Sequence, residues 1–140
     1  MRVKVSRIEH FNAAHKLFNK NWSREKNDLV FGPCANDNWH GHNFDLITTI
    51  EGEVDPASGF VVDFGLLSKL IKDEVINKID HKNINLDVEF MKEKMASCEN
   101  IVIEFWKILE PQISLLAPDA RLYRLALHET KNNFVEYYGD

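Results

Sequence analysis

The sequence predicts an α+β domain: an antiparallel four-stranded sheet with two helices packed on one face, in the order β-β-α-α-β-β. Three observations predict it. Both ends of the chain alternate apolar and polar residues with the period of strands. The middle carries two apolar stripes at helical spacing. No repeat, low-complexity tract or Pro/Gly/Ser-rich linker divides the 140 residues, so residues 1–140 read as one domain. Hairpins that flank paired helices place the helices together against the sheet.

Val3 to His15 reads as the first strand, with Phe11, Ala13 and His15 on one face. Residues 16–39 are rich in Asn, Asp, Lys and Trp without periodicity, and read as a long loop, usually functional in a domain this small. His42 to Glu51, rich in Thr, Ile and Phe, is the second strand. "GEVDPASG" is turn chemistry. Phe64, Leu67, Leu70, Ile71, Val75 and Ile79 form the stripe of a helix over 64–79, with Asp63 as its N-cap. Ser97 caps a second helix, with Glu99 in its first turn and Ile101, Phe105, Ile108 and Leu109 on its buried face. Pro111 marks a kink or a new turn there. Leu122 to Thr130 and Phe134 to Tyr138 are strands joined through "KNN", a hairpin-like turn.

Composition narrows the function. The hydrophobic fraction is 44% and the net charge is −5, which argues against general binding to nucleic acid or to anionic membranes. No apolar run approaches a membrane span. The first residues, "MRVKVSRIEHF", lack the continuous apolar core of a signal peptide, so a cytoplasmic setting is the expectation. The two cysteines, Cys34 and Cys98, form no CxxC and read as reduced thiols.

The stretch "CANDNWHGHNF" carries the chemistry. His40 and His42 are alternate residues of a strand start and point to one face. If the first two strands pair antiparallel, His15 at the end of one lies beside them. Three neutral imidazoles suit Zn²⁺ and leave a fourth position for water or substrate. A His-x-His pair alone is more often a pair of surface or hydrogen-bonded imidazoles; the third histidine is what raises the metal reading. Cys34, six residues before His40, is a fourth ligand or a catalytic thiol, and the long spacing favours the thiol. His10 and His128 have no partner at ligand spacing and read as ordinary strand residues. Asp80-His81 is either a proton relay or a solvated turn. Glu129 is either an exposed strand end or a bidentate acceptor for an aminopyrimidine-type edge.

Taken together, "FNAAHKL", "FGPCANDNWHGHNF", "GEVDPASGFVVDF", "IDHKNIN", "SCEN" and "ETKNNFVEYYG" resemble the 6-pyruvoyl-tetrahydropterin synthase family, which includes the bacterial 6-carboxytetrahydropterin synthases of queuosine biosynthesis. The resemblance runs nearly the whole chain. It implies a T-fold, whose subunits join their sheets into rings, commonly a homohexamer of two trimers with sites at subunit interfaces. It implies 7,8-dihydroneopterin triphosphate as substrate and Zn²⁺ as cofactor. His15, His40 and His42 match the zinc ligands and Cys34 the catalytic cysteine. Asp80 and His81 match its acid–base partners, contributed to a neighbouring subunit's site. Glu129 matches the pterin anchor, and Ser97, Cys98 and Thr130 match positions lining the pterin pocket. The sequence departs from the family at Trp39, where Gly is usual, at Pro33, at Ala96 and at Cys98. If the backbone at 39 needs a positive φ, Trp is strained there.

The expected chemistry is elimination of triphosphate. Its polyanion needs a basic rim in an acidic chain, and Lys16, Lys20, Arg24 and Lys26 are the candidates. Two products are possible in the family. The first expectation is the carboxy branch, which cleaves the side chain and releases acetaldehyde; the second is the pyruvoyl branch. A non-catalytic pterin- or zinc-binding module is the third.

Overall fold

Two long strands set the frame in the computed structural model, which describes Met1–Asp140. β1 (Arg2–His15) and β2 (His40–Glu53) pair antiparallel over their whole length, from Arg2↔Glu53 to His15↔His40. β4 (Ala120–His128) pairs antiparallel with β2, with an irregularity between Thr49 and Ile50. β5 (Phe134–Tyr137) pairs antiparallel with β4. β3 (Lys82–Asn83) adds two residues parallel to β1 at Ala13 and Ala14. The order is β3-β1-β2-β4-β5. The sheet is therefore mixed and five-stranded, where the sequence predicts four antiparallel strands. Two residues are too few to show a period, so β3 had no signal.

The segment 16–39 is more ordered than a loop. It holds α1 (Arg24–Phe31) and a 3₁₀ turn, Gly32–Ala35. Only Asn27 of α1 is buried, so no apolar stripe announced it. Capping holds it instead: the Ser23 hydroxyl accepts from Lys26 N at 3.1 Å. β2 begins at His40, two residues earlier than the apolar pattern suggests, because it continues the ladder with β1.

The predicted helix over 64–79 is three pieces: α2 (Phe64–Ile71), a π turn (Lys72–Ile76) and α3 (Asn77–Ile79). Asp63 caps it, accepting from Leu66 N at 2.9 Å. Leu67, Ile71, Val75 and Ile79 are buried as expected, Leu70 is half-buried, and Phe64 is exposed at the helix start. The π turn shifts the phase by one residue and buries Ile76 as well. After β3 come α4 (Ile84–Asp87) and a 3₁₀ turn, Glu89–Met91. α5 (Cys98–Leu116) is capped by Ser97 and passes through Pro111 without ending. Pro111 lies on the exposed side of the helix, where the carbonyl that loses its partner is not forced into the core. β4 ends at His128, so Glu129 and Thr130 lie in the turn and not on the strand where the sequence placed them.

The core lies between α5 with α2 on one side and the sheet on the other. Phe11 stacks on Phe44 (centroids 4.7 Å) and meets Phe105 edge-on (5.9 Å). Each such ring, fully buried, contributes about 2–3 kcal/mol. This aromatic layer also floors the functional site: Phe44 is edge-on to His15 at 5.9 Å and to His42 at 5.7 Å.

Candidate metal centre and active site

Strand pairing builds the centre. His15 sits directly opposite His40, and His42 is opposite Ala13 on the same face two residues along. The ring centroids are 4.6 Å (His15–His40), 5.3 Å (His15–His42) and 4.9 Å (His40–His42) apart. One nitrogen from each lies within 4.8 Å of the others. His15 is buried, and its Nδ1 is 2.7 Å from the Ala96 carbonyl. A carbonyl only accepts, so Nδ1 carries the proton and Nε2 presents a lone pair. Six buried side-chain nitrogen or oxygen atoms lack a hydrogen-bond partner, and three of them are His15 Nε2, His40 Nδ1 and His42 Nε2. Burial lowers the pKa of His15, outweighing the Ala96 carbonyl, and lowers that of His40. Both are thus held neutral, as ligands must be.

Three imidazoles, one nitrogen of each within 4.8 Å of the others, fit Zn²⁺, a borderline ion that favours such donors. The bond from His15 Nδ1 to the Ala96 carbonyl holds the ring with Nε2 toward the centre, as metal sites require.

Glu129 lies against this centre. Its Oε1 is 3.3 Å from His42 Nε2, in contact but without hydrogen-bond geometry, and its Oε2 is 3.9 Å from His15 Nε2. The Cys98 thiol donates to Oε2 at 2.9 Å. Burial, and then this bond, push the Cys98 thiol far up, so it stays a protonated donor. Ser97 is the N-cap of α5, accepting from Asn100 N at 3.4 Å. Thr130 shapes the β4–β5 turn, its hydroxyl accepting from Asn132 N and Asn133 N. Two hollows meet at Glu129. One, of about 420 Å³, is lined on the helix side by Ser97, Cys98, Asn133 and Phe134. The other, of about 610 Å³, lies on the open side and is lined by no hydrophobic residue, with Asn43, His128, Thr130 and Lys131. A larger hollow, about 650 Å³, lies at the far end of the sheet by Arg2, Phe60 and Pro118; it holds no predicted site residue and no cluster of ligating groups.

Cys34 is half-buried on the 3₁₀ turn, and its carbonyl accepts from Leu17 N at 2.8 Å, two residues after His15. Pro33 fits the start of that turn. Trp39 has a φ of +59°, so the strained backbone anticipated from the sequence is present. Its ring carries the Lys16 ammonium at 4.4 Å, a cation–π contact. Arg24 is engaged by Asp37 at 2.6 Å and by Asp28, and Lys26 lies over Trp22.

Asp80 and His81 stand apart from the centre. Asp80 Oδ1 accepts from Asn12 N at 2.9 Å, and Oδ2 is 2.9 Å from His81 Nδ1. The Asn12 bond holds the Asp80 carboxyl below its usual range. His81, with φ +60°, is 83% exposed on the outer edge of β1 and lines neither hollow. Within one chain, the structure gathers His15, His40, His42, Glu129 and Cys98, and leaves His81 facing outward. Sequence reasoning missed Glu129's nearness to the imidazoles and the lining by Asn133 and Phe134. The run "ETKNNF" held the only signal, a turn opening next to a strand that carries no ligand itself. His10 pairs with Asp45 and His128 stacks on Phe134 on the open face, outside the triad as expected.

A sheet end with three convergent imidazoles beside a cavity is consistent with the metal site of a metal-using enzyme. The family model for 6-pyruvoyl tetrahydropterin synthase matches residues 4–140. This chain belongs to the 6-pyruvoyl tetrahydropterin synthase family and is an enzyme of that type. It is 37% identical over 139 residues to the 6-pyruvoyl tetrahydrobiopterin synthase of Pongo abelii, covering 99% of this chain and 93% of the relative. It superposes on the structure of Caenorhabditis elegans 6-pyruvoyl tetrahydropterin synthase with a TM-score of 0.88 at 34% identity, covering 100% and 97% of the two chains. It is 27% identical to the 6-carboxy-5,6,7,8-tetrahydropterin synthase of Rickettsia typhi, over 96% of this chain and 99% of that one.

Proposed function

We propose that this chain is a zinc-dependent lyase that converts 7,8-dihydroneopterin triphosphate to 6-pyruvoyltetrahydropterin and triphosphate. The observation that carries it is the convergence of three imidazoles, one nitrogen of each within 4.8 Å of the others, beside a carboxylate at the junction of two cavities. The first expectation, the carboxy branch, gives way to the pyruvoyl branch, because the likeness is greater to the pyruvoyl synthases.

The residues divide the work. His15, His40 and His42 hold the zinc. Zinc in such a site acidifies a substrate hydroxyl and stabilises developing oxyanion charge. Glu129 accepts N–H groups from the edge of the pterin ring, and Ser97, Cys98 and Thr130 line its pocket. Fixing the ring supplies part of the rate by orientation alone. Cys34 takes a proton from the substrate side chain. His81, oriented by Asp80, returns a proton. The C–O bond to triphosphate breaks and the hydrogens are redistributed within the organic product, so no external oxidant or reductant is needed. Because His81 faces away from its own centre, it serves the centre of a neighbouring subunit in a ring, a homohexamer of two trimers.

The test is product identification. Incubation of the zinc-loaded protein with 7,8-dihydroneopterin triphosphate should yield 6-pyruvoyltetrahydropterin and no acetaldehyde. Acetaldehyde trapped as its hydrazone would restore the carboxy branch. Triphosphate absent altogether would leave a binding module.

A further inference from the structure

We propose that Glu129 is a fourth ligand of the metal centre when no substrate is bound, and exchanges the metal for the pterin ring when substrate arrives. This rests on the metal and pterin readings above and adds the resting state of the site. The bond from His15 Nδ1 to the Ala96 carbonyl leaves Nε2 as a bare lone pair. His42 Nε2 also lacks a hydrogen-bond partner. The Glu129 carboxylate is nevertheless set against both, at 3.3 and 3.9 Å. A carboxylate oxygen and a bare imidazole nitrogen such as His15 Nε2 repel each other unless something positive lies between them. No lysine or arginine forms an ion pair with Glu129; its only such contacts are His15 and His42. A shared cation resolves the arrangement. Two ligands of one tetrahedral zinc stand about 3.4 Å apart, since each metal–ligand bond is about 2.0–2.1 Å, and the His42–Glu129 contact matches that separation.

Cys98 fixes which oxygen does this. Its thiol donates to Oε2 at 2.9 Å and leaves Oε1 turned to His42. A closed four-ligand centre excludes water from the metal. The pterin ring offers N–H donors that a carboxylate accepts in pairs. On their arrival Glu129 turns to the ring and vacates one position, which the substrate side chain then takes.

Zinc affinity and the visible spectrum of the cobalt(II)-substituted protein test this without turnover. Glu129→Gln should bind zinc roughly tenfold or more weakly and alter the cobalt bands. Affinity within about twofold of wild type and a superimposable spectrum would overturn the proposal. A crystal structure of the unmutated, zinc-loaded, substrate-free protein is the independent check. Oε1 of Glu129 on the metal upholds it, and water there with the carboxylate turned away overturns it. Neopterin, added to the cobalt protein, should shift the bands toward those of the variant. If the variant loses metal affinity but neither protein binds neopterin, the ligand stands and the pterin reading falls.

Discussion

His15 shows how much one backbone bond decides. The Ala96 carbonyl sets its tautomer, and burial keeps it neutral, so the ring is a prepared ligand before any metal arrives. His42→Ala should therefore abolish stoichiometric zinc, measured by metal analysis of the purified protein. Cys34→Ala should keep its zinc and lose triphosphate release by at least about 100-fold, the scale of a general base. Loss of zinc in Cys34→Ala would make the thiol a ligand instead. The triad was legible because strands have a period of two: His40 and His42 must share a face, and antiparallel pairing brings the end of β1 beside them. The place of Glu129 was not legible. It lies one residue beyond β4, where no periodicity holds, and its neighbour Cys98 comes from another element 31 residues away.

Among elements, those with an apolar period are legible in the sequence, even the short β5, and those without one are not. The stripe through Leu67, Ile71, Val75 and Ile79 predicts its helix because burial repeats there. α1 and β3 bury almost nothing of their own and depend on caps and a two-residue ladder, which no apolar pattern records. The Asp63 cap is a simple test: Asp63→Ala should lower stability by about 1 kcal/mol in denaturant titration with zinc content unchanged. The join of α3 to β1 has a pH signature. Asp80 accepts the Asn12 N–H, and its carboxyl titrates below the usual range. A carboxyl with a lowered folded pKa stabilises above its unfolded value, near about 3.9, and that contribution is lost as pH falls through the folded value. Asp80→Asn should thus cost about 0.5–1 kcal/mol at pH 7, at the low end because the group is partly exposed. The gap from wild type should close as melts are repeated toward pH 3.

At the scale of the whole molecule, the sheet has two unfinished edges. β3 covers β1 only at Ala13 and Ala14, leaving its first part unpaired, and β5 ends the other side. Open edges of this length are normally covered, and the proposed ring would cover them by pairing between subunits. Light scattering should find an oligomer, and a monomer at working concentration would remove the shared-site arrangement. The exposed Asp80-His81 pair gives a sharper check. Cys34→Ala and His81→Ala should each be inactive alone, yet recover partial activity when refolded together, because some mixed sites hold an intact Cys34 and an intact His81. No helix is long and apolar enough to cross a membrane. The net charge of −5 leaves the polyphosphate to local cations, of which Lys16 is held in place over Trp39. The measurement that tests the whole account most directly is triphosphate release from 7,8-dihydroneopterin triphosphate by the protein stripped of metal and then resupplied with zinc. The account predicts no release from the stripped protein and full release on adding about one zinc per chain. Equal release before and after, or none from the zinc-loaded oligomer, would contradict it.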